Sequence, residues 1–152
     1  MAQLVNVIAP IMTRNGGGCW AQTIYWPLLH TSKYGRGTAL RALVDTPVYD
    51  CSDYEGVPVV DATATADETG GVTVFCVNRD MKEDFCLDID LRAFGDMRLN
   101  EHILLHHDDV KAVNTEDNPM NVAPTSGPGG TVDGGRAQVK LPALSWNVIR
   151  FA

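Results

Sequence analysis

The sequence predicts a mainly β protein, an antiparallel β-sandwich preceded by a short strand–loop–helix segment. Three observations lead there. From Thr38 onward, short segments rich in Val, Thr, Ile and Phe are separated by Gly, Pro, Asn and Asp at the spacing of antiparallel strands. Phe85, Leu87, Ile89 and Leu91 alternate with Cys86, Asp88, Asp90 and Arg92, the period of two that a strand with one wet face requires. Ahead of Thr38 the texture differs, with the loop Asn15-Gly16-Gly17-Gly18 and an aromatic stretch that closes in Gly35.

Taken in order, residues Met1 to Ile11 form a compact apolar run, patterned for burial on several sides and not for one amphipathic face. Chain termini are ordinarily exposed and frayed, so an apolar opening raises the expectation of truncation. The Trp20 to Tyr34 stretch predicts a short helix that includes Leu28 to Tyr34, with Ile24, Leu28 and Thr31 on one stripe. Pro27 either starts this helix, where its missing N–H costs nothing, or kinks it. Val72 to Val77 is apolar on both faces and reads as a central strand. Met97, Leu99, Glu101, Ile103 and Leu105 give a weaker alternation, as do Ala137, Val139 and Leu141, and Trp146 to Phe151 supplies a closing strand. Between Asn114 and Gly135 prolines and glycines occur without periodicity, which predicts a long surface loop.

A chain of 152 residues can bury one main core. With 45% apolar and 20% charged residues and no apolar run approaching the ~20 needed for a bilayer, it reads as soluble, with no membrane partner. A formal charge of −7 disfavours nucleic acid, whose binding begins with a clustered basic surface. Cys19, Cys51, Cys76 and Cys86 lack the close pairing of a zinc knuckle. Spacing leaves disulfides open; with apolar neighbours around Cys76 and Cys86 and no secretory leader pattern, the preferred reading is reduced core thiols of a cytoplasmic protein.

Few residue clusters invite chemistry. His106-His107-Asp108-Asp109 has metal-ligand types, but adjacent strand residues point to opposite faces, so it reads as a solvated strand end. Asp88 and Asp90 share a face as alternation dictates on any wet strand. Gly127-Pro128-Gly129-Gly130 lacks the Lys-Ser/Thr of a phosphate loop and reads as a flexible turn. Trp146, two places from Val148, reads as a packing residue. No metal site or cofactor is expected. Trp20 and Gln22, on residue type alone, cap the helix start and fill loop space.

Five segments, in order, resemble the C-terminal end of family 51 α-L-arabinofuranosidases. They are Leu4-Val5-Asn6-Val7-Ile8-Ala9-Pro10-Ile11, Trp20-Ala21-Gln22-Thr23-Ile24-Tyr25-Trp26-Pro27-Leu28-Leu29-His30, Tyr34-Gly35-Arg36-Gly37, Val110-Lys111-Ala112-Val113-Asn114-Thr115 and Leu144-Ser145-Trp146-Asn147-Val148-Ile149-Arg150. The resemblance implies a (β/α)8 barrel holding the chemistry, followed by a jelly-roll-like sandwich. Residues 1–36 would be the last strand, loop and helix of that barrel, and residues 37–152 the accessory sandwich. The parent reaction is a retaining hydrolysis of terminal arabinofuranosyl residues from arabinan or arabinoxylan oligosaccharides, which needs two carboxylates. Both would lie on earlier barrel strands, and Glu55, Glu68, Glu83, Glu101 and Glu116 match neither, so the chain alone is expected to be inactive. Gln22 matches a glutamine that contacts the arabinose ring; its amide offers a donor and an acceptor to adjacent hydroxyls. Trp20 beside it offers a flat face to the sugar. The implied partners are the missing barrel, arabinose-containing oligosaccharides and further copies of the chain. The rival reading is a stand-alone carbohydrate-binding sandwich that presents Trp146 or Tyr49.

Overall fold

The computed structural model describes residues 9–152. Most of the opening apolar run, residues 1–8, lies outside them. The first described unit is an antiparallel hairpin of β1 (Ile11–Thr13) and β2 (Cys19–Ala21), followed by helix α1 (Tyr25–Tyr34). Pro27 is the third residue of α1, inside the first turn, where backbone N–H groups have no intrahelical acceptor. The helix therefore starts ahead of the proline without a break. The expected apolar stripe is on the wrong side: Ile24 and Leu28 are 40% and 42% exposed, whereas His30 is buried and Tyr34 half-buried. Ile11 is exposed too, so the end of the opening run is not buried on all sides.

The remaining strands are β3 (Thr38–Leu40), β4 (Val48–Tyr49), β5 (Val57–Pro58), β6 (Val60–Ala66), β7 (Val72–Asn78), β8 (Phe85–Asp90), β9 (Leu99–Leu105), β10 (Thr125–Ser126), β11 (Gly130–Asp133), β12 (Arg136–Leu141) and β13 (Ser145–Phe151). A six-stranded antiparallel sheet runs β10-β9-β13-β7-β6-β3, and a three-stranded sheet runs β11-β12-β8. The doubly apolar strand β7 is indeed interior. The last strand, β13, does not close an edge; it lies between β9 and β7 and is buried on both faces.

Alternation decides what each face of the large sheet meets. Ala64, Val72, Val74, Cys76, Ile149 and Phe151 point inward and pack on Ala137, Val139 and Leu141 of the small sheet, with Phe85, Leu87 and Ile89 completing the interior. Phe75, Ile103 and Val148 point outward, where Tyr34 of α1 and Trp146 cover them. The result is three layers: small sheet, large sheet, helix. The segment expected as a loop from Asn114 to Gly135 contains β10 and β11, and its Asn114 and Val122 are buried. Hydrogen bonding to distant chain, not local periodicity, orders it.

All four cysteines are free, but only Cys76 is a core thiol; Cys19, Cys51 and Cys86 are exposed. In β8 the inward places belong to Phe85 and Leu87, so Cys86 faces water. Burial pushes the Cys76 thiol up to about 12.

Candidate functional site

The predicted pair Trp20 and Gln22 sits where β2 turns into α1. The Gln22 backbone N–H donates to Pro10 O at 2.8 Å, which keeps the turn against the strand before it. Both side chains are half-buried, and both donate to one acceptor: Trp20 Nε1 to Asn114 O at 3.1 Å and Gln22 Nε2 to the same oxygen at 2.8 Å. Asn114 is 1% exposed. Its Nδ2 donates to Ala21 O and Val122 O, each at 3.0 Å, and its Oδ1 accepts from Val122 N at 2.7 Å. Trp26 Nε1 adds a bond to Val122 O at 3.0 Å. Beside this cluster Glu116 accepts from Gly18 N at 3.0 Å and lies 3.0 Å from Arg14 Nη1. The segment after β9 thus clasps the hairpin and the start of α1. Sequence reasoning singled out Trp20 and Gln22 and missed Asn114. Its only signal was a polar residue inside a motif, with no periodicity to show burial.

A second polar cluster lies at an end of the sandwich interior. Gly129 N donates to His102 Nδ1 at 3.2 Å, so that nitrogen carries no proton and the neutral ring holds it on Nε2. Nε2 then donates to Asn147 Oδ1 at 3.0 Å, Asn147 Nδ2 to Ser145 Oγ at 2.9 Å, and Ser145 Oγ to Pro142 O at 2.6 Å. Burial holds the His102 pKa below its ordinary value. The glycine turn expected to be flexible is pinned to this ring: a Cβ on Gly127 would stand 2.5 Å from His102. Every group in the chain of bonds is satisfied, which marks it as structural.

The other sequence candidates are separated. His106 Nε2 lies 3.2 Å from Asp108, while His107 Nδ1 accepts from Asp109 N. Asp90 binds Arg92, which lowers its pKa, and Asp88 faces solvent. Trp146 stacks on His30 of α1, with centroids 5.6 Å apart and planes 6° apart, and is tilted against Phe75. Its ring is a packing surface between helix and sheet. Tyr49 of β4 is 40% exposed, with no second ring against it among the described aromatic pairs. Of the glutamates, Glu101 binds Arg150 at 2.8 Å and Glu116 holds the hairpin, while Glu55, Glu68 and Glu83 are exposed. A separate cleft of about 760 Å³ opens between β6 and the free edge of β8, lined by Leu40, Leu43, Val60, Leu87 and Ile89 among others; it shares no residue with the Gln22 turn.

The architecture is that of an antiparallel sandwich domain backed by one helix docked on the large sheet, with a Trp/Gln turn clasped to it. The chain belongs to the α-L-arabinofuranosidase C-terminal domain family, which it matches over residues 1–145. It is 45% identical over 152 residues to an intracellular exo-α-(1→5)-L-arabinofuranosidase of Halalkalibacterium halodurans, covering 99% of the chain and 30% of that protein. The same identity and shares hold for an enzyme of that description from Bacillus subtilis. A solved family 51 α-L-arabinofuranosidase from Bifidobacterium longum superposes with a TM-score of 0.88 at 36% identity, over 99% of this chain and 30% of that one. The chain therefore spans about 30% of the length of the curated relatives it matches.

Proposed function

We propose that the chain works as the C-terminal part of an exo-acting α-L-arabinofuranosidase that removes terminal arabinofuranosyl residues from arabinan or arabinoxylan oligosaccharides. Gln22 and Trp20 are its contribution to the sugar site. The observation that carries this reading is the pair's fixed presentation at a strand-to-helix turn, the kind of turn from which barrel enzymes build their pockets. Residues 1–36 act as the last strand, loop and helix of the catalytic barrel, and residues 37–152 as the accessory sandwich. Support for that boundary comes from α1 ending at Tyr34, Gly37 adopting a φ of 99°, and β3 starting at Thr38.

The chemistry belongs to the rest of the polypeptide, since a retaining mechanism needs two carboxyl groups about 5–5.5 Å apart on opposite sides of the scissile bond. The cleft beside the open edge of β8 and the exposed Ile24, Leu28 and Val113 support packing against further chain or further copies. Names of relatives support a cytoplasmic setting, and no helix among the described residues is long and apolar enough to cross a membrane.

The test is release of aryl leaving group from an aryl α-L-arabinofuranoside. The full-length protein is expected to be active and to lose affinity on Gln22→Ala, while the 152-residue chain is expected to be silent. Hydrolysis by the isolated chain would overturn this reading. Light scattering at high micromolar concentration is expected to report an oligomer; a strict monomer would remove the assembly part.

A further inference from the structure

We infer that Asn114 is a positioning residue for the sugar-facing amide of Gln22, an inference that rests on reading Gln22 as a sugar contact. The two donors, Gln22 Nε2 and Trp20 Nε1, converge on the single carbonyl oxygen of Asn114 and fill both of its lone pairs. A carbonyl can only accept. The Gln22 amide is therefore held in one of its two flips, with Nε2 toward Asn114 and Oε1 turned away. What it can offer a ligand is then one acceptor, Oε1, and the second N–H of Nε2, a donor and an acceptor of the kinds that sugar hydroxyls bind.

The carbonyl is itself immobilised. Asn114 is buried, and its side chain bridges the two segments concerned, donating to Ala21 O in β2 and exchanging hydrogen bonds in both directions with the Val122 backbone. Trp26 Nε1 on the Val122 carbonyl closes the loop of bonds back to α1. No ionised group belongs to this network. Asn114 thus acts through geometry alone: it fixes a side chain 92 positions earlier in an orientation the turn by itself does not dictate. Orientation held before the ligand arrives removes an ordering cost from binding and leaves the chemical step alone.

The experiment is steady-state kinetics on an aryl α-L-arabinofuranoside with the full-length enzyme that carries this chain. Asn114→Ala keeps the carbonyl and releases its anchorage, so it is expected to raise KM roughly three- to tenfold, the ordering cost of about one side chain, with kcat within about twofold. Gln22→Ala is expected to raise KM at least as much. In a Gln22→Ala, Trp20→Phe background the same Asn114→Ala change is expected to raise KM no further. Trp26→Phe, which removes one bond to Val122 and keeps an aromatic ring in place of the indole, gives a milder version should Asn114→Ala fold poorly; its smaller KM effect must also vanish in that background. An equal KM increase in both backgrounds, or an unchanged KM for Asn114→Ala while Gln22→Ala raises it, overturns the positioning role. A Gln22→Ala enzyme with unaltered KM and kcat instead sinks the sugar-contact reading, and the positioning role with it.

Discussion

The two faces of β13 are held by different physics. Its inward face, Asn147, Ile149 and Phe151, meets the small sheet across an aliphatic interior where Ala137, Val139 and Leu141 are fully buried. Its outward face, Trp146, Val148 and Arg150, meets α1 through stacked rings and a guanidinium: His30 on Trp146, and Arg150 4.3 Å above the Tyr34 ring. The first contact is area removed from water and tolerates sliding until shapes lock. The second is a few directed contacts, extended by the hydrogen bonds that tie Asn114 and Glu116 to the hairpin. A fold can therefore keep its sandwich while its helix and hairpin loosen.

Removing core volume is the strongest way to test this. Leu141→Ala, at a fully buried site, is expected to cost about 2–5 kcal/mol in urea unfolding. Trp146→Ala, half-buried and facing the helix, is expected to cost less, about 1–3 kcal/mol, despite its larger ring. Equal costs would mean that the helix face is as much a core as the sandwich.

Next in size is the clasp. Asn114→Ala leaves the Val122 N–H and the Ala21 carbonyl short of partners, while the Val122 carbonyl keeps Trp26 Nε1, a loss of about 1–3 kcal/mol. The signature is local: exchange of the Val122 amide proton should speed up while that of Val148 in β13 is unchanged. Uniform acceleration across the sheet would dissolve the distinction between the two regions.

How much of this was written in the sequence follows the same division. Phe85 to Arg92 and Val72 to Val77 announced their strands because period-two alternation is a local consequence of facing one packed layer or two. Trp20 and Gln22 were legible only through resemblance. Asn114, Val122 and Glu116 were not legible, because what buries or binds them lies about ninety or more positions away in the hairpin and helix start. The outward stripe Ile24, Leu28 and Thr31 was misread for a related reason: apolar spacing marks a helix face but not which neighbour covers it. His30 and Tyr34, polar by type, took the buried side because the His30 ring stacks on Trp146 and Tyr34 packs on the Phe75, Ile103 and Val148 cluster.

Acid should separate the layers by a smaller amount. His102 inside the sandwich and His30 under the helix both have pKa values lowered by burial, His30 further by Lys33. The unfolded chain, titrating near 6.5, takes up protons first, so this stability is complete at neutral pH and is lost as pH falls through 6.5 toward the folded values. The carboxylates of Asp67, held low by Thr69, and Asp80, held low by the Glu83 N–H, hold until pH falls below 3.8, a separate window. Thermal melts are expected to show Tm falling by a few degrees between about pH 7.5 and about pH 5.5. His102→Gln should remove part of that slope and leave the His30 part. An unchanged slope would mean that His102 titrates alike folded and unfolded.

The smallest effect belongs to Glu116, and it tests how the hairpin is fastened. Its Oε2 is in ionic contact with Arg14, whose side chain is 72% exposed, while its Oε1 accepts from the Gly18 N–H. An exposed pair of this kind contributes at most about 1 kcal/mol and fades with salt, because water and counterions compete for both partners. The Gly18 bond is short-ranged and indifferent to ionic strength. Glu116→Gln keeps an oxygen for Gly18 and deletes the charge, so it should cost well under 1 kcal/mol at low salt and nothing measurable near 0.5 M, where the Debye length is only about 4–5 Å. Glu116→Ala removes both contacts and should keep a residual, salt-independent cost, read as faster exchange of the Gly18 amide. If the two variants behave alike at high salt, the backbone bond contributes nothing. The hairpin would then be held by Asn114 alone, and the clasp would be one residue wide.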